Sequence, residues 1–455
     1  MRFITILKNT IGLGNGHERS NRAKRNIAAS FIIKGLSILI SLILVPMTIN
    51  YINPTKYGIW ITLSSIIGWF SFFDIGFGNG LRNKFAEAVA LGNKELARKY
   101  VSTTYAILSI IIVVVFFVFI ITNPFLNWAK ILGAPKEMAQ ELSSLAFIVF
   151  SFFCLQFVLQ LITTILIADQ KPAKASYFNL LGSVFSLITI FLITKSTKGS
   201  LIYLGLALGF SPILVLSVAS IWFFTHDYKY YVPSFKYIKF SYAKDLMHLG
   251  IKFFILQIAA LILYQTNNII ITQLIGPADV TVFNIAYKYF GVIPMAFSII
   301  TAPFWSAYTE SYLKKDLEWI KRSIRTLMYL WLFTSLLALL MLLVSGYIYK
   351  LWIGSRIPIP FSVSIACALY VIIVTWANIF LTFVNGIGKI SLQLYLTIIV
   401  IVFNIPLAIF LAKYLNMGIS GVLFATCIDF LIFAIIIPIQ YLKIINNNAV
   451  GIWNK

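Results

Sequence analysis

The sequence predicts an all-α integral membrane protein of about twelve transmembrane helices, in two pseudo-symmetric six-helix bundles around a central cavity. Three observations predict it: an apolar composition, twelve apolar windows of membrane-crossing length, and a second set of six windows that echoes the first at a constant offset. Of the 455 residues, 60% are hydrophobic and 11% charged, and the mean hydropathy is +0.91. Soluble domains carry about 25% charged residues, so the bilayer must be the solvent.

Windows of about 20 apolar residues fall near 27–52, 57–73, 101–122, 143–167, 176–194, 200–224, 249–275, 283–306, 326–349, 361–384, 390–412 and 418–442. The expected organisation is a basic N-terminal segment 1–26, a first bundle 27–224, a linker 225–248, a second bundle 249–442 and a tail 443–455. The basic opening is followed by no small-residue cleavage site, which predicts that the first window is a retained anchor.

An offset of 223 places Pro54 on Pro277, setting NYINPTKYGIW beside TQLIGPADVTVF as short outer turns. The same offset places Ala97-Arg98-Lys99 on Ile320-Lys321-Arg322, and predicts a charged amphipathic helix between the second and third crossings of each half. Because six is even, the halves share one orientation about an axis along the membrane normal.

The net charge is +22, which in a soluble chain would point to nucleic acid. Here the cations fall in alternate loops. With the N-terminus cytoplasmic, 25 Lys and Arg lie on the inner side, 8 on the outer and 3 within crossings. That asymmetry obeys the positive-inside rule for a multi-pass protein with both termini cytoplasmic and removes the need for a nucleic-acid partner. The linker, THDYKYYVPSFKYIKFSYAKDLMH, combines Tyr with Lys in a way that suits anionic headgroups, and a plain connector explains it equally well.

Polar side chains inside crossings each cost a few kcal/mol unless they face protein or water. In the first crossing Lys34, Ser37, Ser41 and Thr48 share a helical face; in the seventh, Gln257, Tyr264 and Asn268 do the same. The 223 offset places Lys34 on Gln257, so two equivalent helices present polar stripes. Asn284 and Lys288 follow at i, i+4, and Lys252 stands near the inner end of the seventh crossing. These residues are the candidate substrate-binding set, because several ammonium groups along one cavity suit an anion. Lys34 and Lys252 are also near enough to the inner end to reach headgroups.

Asp74 and Asp429 are the candidate ion-coupling groups. A structural cap or hydrogen bond is the alternative for each. Catalytic constellations are missing: His17, His226 and His248 lack metal-ligand spacing, and Cys154, Cys367 and Cys427 lie within crossings as packing residues. GLGNG at 12–16 follows no strand and is not a phosphate loop. No metal, cofactor or direct use of ATP is expected.

The segment FFDIGFGNGLRNKFAEAVALGNKELARKY, with its Asp-x-Gly-Phe turn at Asp74–Phe77, Arg82 and Gly92-Asn93, together with twelve crossings in two halves, resembles bacterial polysaccharide flippases of the O-antigen type. These belong to the multidrug/oligosaccharidyl-lipid/polysaccharide exporter superfamily. The resemblance implies a transporter of the bacterial inner membrane rather than an enzyme. It implies movement of an undecaprenyl-pyrophosphate-linked oligosaccharide, an O-antigen or capsule repeat unit, to the outer leaflet by alternating access, with an ion gradient as a candidate driver. It also implies membrane lipids and other polysaccharide assembly proteins as partners. The 13 residues after the twelfth window leave no room for the two extra crossings typical of peptidoglycan-precursor flippases, so that version of the family is not expected. The rival readings are a cation-coupled multidrug exporter, for which acidic cavity walls would be expected, and a membrane enzyme acting on lipid-linked glycans.

Overall fold

The computed structural model describes the backbone of residues 18–454 and the side chains of 32–247, 254, 258, 265–305 and 307–454. The described residues form helices joined by short turns, with no strand among them. The main helices are α1 (Glu18–Ile52), α2 (Pro54–Gly68), α3 (Phe77–Ala90), α4 (Lys94–Thr122), α5 (Ala139–Leu159), α6 (Leu161–Ala168) and α7 (Pro172–Ser196). They continue with α8 (Leu201–Thr225), α9 (Ala243–Leu274), α10 (Pro277–Leu313), α11 (Leu317–Ile353), α12 (Phe361–Gly386), α13 (Ser391–Ile409) and α14 (Gly418–Ile445). Among the described residues ten helical stretches are long and apolar enough to cross a membrane, and the pair α2 and α3, bent by 44°, makes an eleventh. The seventh expected crossing falls in α9, whose side chains lie largely outside the described residues.

The 223 offset extends to the helix caps. Pro54 and Pro277 each occupy the first residue of a helix, where the missing N–H costs no hydrogen bond. Asn93 accepts from the backbone N–H of Leu96 at 2.9 Å, and its equivalent Asp316 accepts from that of Trp319 at 3.0 Å. Each side chain satisfies an orphan donor of the first turn. Of the separate charged helices expected between the second and third crossings, the first half has one in α3, which carries Arg82, Lys84 and Glu87, and the second half has none among the described residues; in neither half do the residues that the offset aligns form a helix of their own. Arg98 and Lys99 lie in the first turns of α4, and Lys321 and Arg322 in those of α11, because the caps at Asn93 and Asp316 start those helices early.

The halves differ in the continuity of their helices after these prolines. Residues 277–313 are one helix, whereas the equivalent 54–90 breaks after Asp74. Ile75 and Gly76 adopt φ of 47° and 80°, and Asp74 Oδ1 accepts from the Gly78 N–H at 2.9 Å to start α3. At the corresponding position 297 stands Phe, which offers no such cap.

Contacts divide the chain into two units. In the unit Asn26–Ala278, α8 packs on α7 and α5, α3 on α4 and α6, and α9 on α2 and α3. In the unit from Asp279 to the C-terminus, α14 packs on α12 and α13, and α12 on α11. Small residues carry that second core: Ala366, Cys367, Ser420, Gly421 and Ala425 are buried, Ser420 Oγ donates to Ser362 Oγ at 2.9 Å, and Cys427 Sγ donates to the Ala366 carbonyl at 3.6 Å. Lipid-embedded helices associate through such close approach, since burying Leu gains little when the surroundings are equally apolar. Large side chains divide between that core, where Phe290, Phe297, Tyr308 and Phe383 are buried, and the outer surface, where Leu332, Leu336, Leu340 and Leu343 are exposed along α11.

Residues 226–242 are a strap bound to the first unit. Arg98 Nε donates to the Val232 carbonyl at 3.0 Å and its guanidinium lies 4.3 Å from the Tyr237 ring centroid. The Ser234 N–H donates to Ser102 Oγ at 3.1 Å, and the Lys239 N–H to Thr103 Oγ1 at 3.0 Å. The Tyr228 hydroxyl donates to Asp169 Oδ2 at 2.8 Å, and Lys171 pairs with the same carboxylate at 2.6 Å. Arg98→Ala is expected to loosen this strap and raise the rate of limited proteolysis between 229 and 241 severalfold, leaving cleavage elsewhere unchanged. Burial, reinforced by the neighbouring Asp169, pushes the Tyr228 phenol above its ordinary range. The folded state therefore keeps its proton where the unfolded chain loses it. The strap's contribution is fully present below about pH 10, the usual tyrosine value, and declines above it. Limited proteolysis across that pH range checks this, with increasing strap cleavage expected above pH 10.

Candidate functional site

Within the second unit, α10, α12 and α14 meet through an aromatic chain. Phe283 and Tyr287 have ring centroids 5.3 Å apart, Tyr287 and Tyr370 5.7 Å, and Tyr370 and Phe430 5.7 Å in an edge-to-face pair. The hydroxyls of Tyr287 and Tyr370 are 3.4 Å apart. Two expected charged residues are sequence neighbours of this chain: Lys288 follows Tyr287, its second ring, and Asp429 precedes Phe430, its last.

Lys288 is half-buried, and no ion pair within 4 Å reaches it among the described residues. Asn284, one turn earlier, is buried and donates to the Val280 carbonyl at 2.9 Å. Asp429 is 2% exposed and accepts from the amide of Asn404, itself completely buried. No cation lies within ion-pair distance of Asp429 among the described residues. An ionised carboxylate at such depth costs several kcal/mol unless neutralised.

In the first unit, α2 and α9 form an antiparallel polar seam. Thr62 and Thr272 hydroxyls are 2.6 Å apart, and Asn268 Nδ2 donates to Ser65 Oγ at 2.9 Å. The Gln273 amide donates to the carbonyls of Lys130 and Ile131, at 3.2 and 2.5 Å. Asn268 therefore holds two helices of one unit together. Lys34 is exposed on α1, where Ile32, Leu36 and Leu39 are exposed as well. Asp74 caps α3. Lys252, Gln257 and Tyr264 lie on α9, and their side chains are outside those described. Glu310 is exposed and pairs with Lys314.

The fold thus gathers Lys288, Asn284 and Asp429 in one unit and Asn268 and Asp74 in the other. Reading the sequence missed Tyr287, Tyr370 and Asn404. Tyr287 was within reach, three residues after Asn284 and beside Lys288. Tyr370 and Asn404 are single polar residues in otherwise apolar helices, with no periodicity to mark them.

Three comparisons bear on this arrangement. The family described as "Polysaccharide biosynthesis protein" matches residues 23–306. A Salmonella typhi protein named for O-antigen transport is 22% identical over 373 residues, covering 80% of this chain and 83% of its own length. A Yersinia pseudotuberculosis protein named for O-antigen export is 22% identical over 378 residues, covering 78% and 81%. Among solved structures, an inward-facing multidrug resistance MATE family transporter of the MOP superfamily superposes with a TM-score of 0.74 at 15% identity, over 94% of this chain and 98% of that one. A MOP superfamily transporter from Pyrococcus furiosus superposes with a TM-score of 0.69 at 15% identity, over 94% and 97%. At such identities these two likenesses establish the fold alone.

Proposed function

Since the chain belongs to the polysaccharide biosynthesis protein family, as a multi-pass helical membrane protein with a transporter fold and no enzymatic role, we propose that it flips a lipid-linked oligosaccharide across the bacterial inner membrane. The cargo is an undecaprenyl-pyrophosphate-linked repeat unit of O-antigen or capsule. It is taken up at the inner leaflet and released at the outer by alternating access between the two halves of the chain, with both termini cytoplasmic. The observation that carries this reading is the family match together with relatives named for O-antigen transport that align over about four fifths of the chain.

The chemistry of the cargo fits the residues. Lys288, with Lys34 and Lys252, supplies ammonium groups for a diphosphate, while Asn284, Gln257 and Tyr264 supply donors and acceptors for sugars. The polyprenyl tail stays in lipid. Asp429 exchanges a proton or cation as the halves rearrange, and Asp74, at the break between α2 and α3, is the second candidate for coupling.

The test is translocation in proteoliposomes, using a lipid-pyrophosphate-linked oligosaccharide whose outward exposure is read by a glycan-modifying enzyme. Protein-dependent exposure is expected. No exposure, accompanied by efflux of a cationic dye from the same vesicles, would move the assignment to drug export. In this assay Asp429→Asn is expected to abolish the response to an imposed ion gradient while leaving slow exchange without a gradient. Undiminished gradient dependence in that variant would remove Asp429 from the coupling step.

A further inference from the structure

The strap 226–242 covers the start of α4 on its inner surface and presents a different set of residues outward. Val232, Ser234 and Lys239 backbone groups are tied to Arg98, Ser102 and Thr103, and the Tyr231 and Tyr242 rings pack on Phe85 and Tyr100. Facing away, Phe235 is 94% exposed. Tyr230 and Phe240 are exposed too, as are Lys94, Lys229, Lys236, Lys239 and Lys244. Lys94 and Lys229 lie 4.9 and 5.3 Å from the Tyr230 ring centroid.

Cations outnumber anions on this face. Of the neighbouring carboxylates, Glu95 is paired with Lys99 at 2.6 Å, Asp227 lies 3.8 Å from Lys174, and Asp245 is exposed beside Lys244. None of the five outward lysines has an ion pair within 4 Å among the described residues. Depth is set by α4: its apolar stretch 101–122 rises about 33 Å at 1.5 Å per residue, enough to fill a hydrocarbon core of about 30 Å. The strap's anchoring points at 98–103 therefore lie where hydrocarbon gives way to headgroups. Exposed aromatic rings beside lysines are the composition that partitions into that layer.

We propose that this strap is a docking surface for anionic phospholipid headgroups, with Phe235 and Phe240 inserted at the boundary and Lys94, Lys229, Lys236, Lys239 and Lys244 holding the phosphates. A connector left in water would gain nothing from an aromatic ring at position 235, whereas a headgroup layer accommodates both the ring and the cations. The docking is a property of the first unit alone and does not depend on what the protein transports.

The test places a nitroxide on Phe235→Cys in vesicles of phosphatidylcholine, with and without phosphatidylglycerol. Cys154, Cys367 and Cys427 are buried, so labelling concentrates at the introduced thiol. Collisions with oxygen are expected to exceed those with a water-soluble nickel complex severalfold, more so with phosphatidylglycerol present. Replacing Lys229, Lys236, Lys239 and Lys244 by Gln should erase the phosphatidylglycerol effect, each lysine accounting for about a fivefold preference. These side chains are exposed, and an unchanged elution profile verifies that the variant folds. A nitroxide that meets the nickel complex freely in both vesicle types would overturn the proposal. So would an effect that persists without the lysines, or one that requires added lipid-pyrophosphate-linked oligosaccharide, which would make the cargo the occupant.

Discussion

Alanine at position 58 is expected to destroy the fold of the first unit. A Cβ built on Gly58 would lie 1.6 Å from the Pro277 carbonyl oxygen and 2.6 Å from its carbon. Both are backbone atoms at the point where α9 gives way to α10, so no side chain can rotate away. Overpacking a core costs about 1–3 kcal/mol when side chains can adjust; here two helices would have to separate. Separation would also pull apart the Thr62–Thr272 and Ser65–Asn268 hydrogen bonds further along the same seam. We expect a loss of at least about 3 kcal/mol, seen as collapse of the monodisperse elution peak and a large fall in the thermal midpoint of detergent-solubilised protein. Gly291→Ala is the control, since nothing lies within 4 Å of its Cβ position, and its elution and midpoint should remain unchanged or improve slightly.

Neutralising Lys288 is expected to have the largest effect on transport. Its ammonium lacks an ion-pair partner within 4 Å among the described residues, so the Lys288→Gln variant breaks no such internal pair and should fold normally. If the diphosphate of the cargo is what it meets, the loss is that of a hydrogen bond to a charged group, about 1.5–3 kcal/mol, or roughly a 10- to 100-fold fall in initial translocation rate at limiting substrate. Lys288→Arg should restore most of the rate, because the charge is kept. Normal translocation by Lys288→Gln at matched protein level would remove this residue from the binding set.

Much of the architecture was legible because the bilayer makes backbone hydrogen bonding a local matter. A helix in lipid satisfies its own N–H and C=O groups, so apolar windows map onto helices with no knowledge of their neighbours. The repeat was legible for a similar reason: Pro54 and Pro277 act within their own first turns. The amide of Asn93 and carboxylate of Asp316 likewise bond N–H groups three residues on. Less legible was the break at Asp74. The Asp-x-Gly pattern is visible, but whether it ends a crossing or bends one helix into another depends on the left-handed backbone at Ile75 and Gly76 and on the Gly78 cap.

The candidate site divides along the same line. That Lys288 and Asp429 are costly inside a membrane follows from residue type and position alone. That Asp429 meets Asn404, that Tyr287 and Tyr370 link their helices, and that Asn268 is used up in holding α2 to α9 all depend on contacts between residues distant in sequence. Sequence by itself determined the bilayer as solvent, the all-helical class and the matching caps at Pro54 and Pro277 and at Asn93 and Asp316, since hydropathy and capping act over a few residues. Tertiary structure alone decided which polar residues are partnered within a unit and which remain available, because a hydrogen bond between helices is a matter of three-dimensional register that no local pattern encodes.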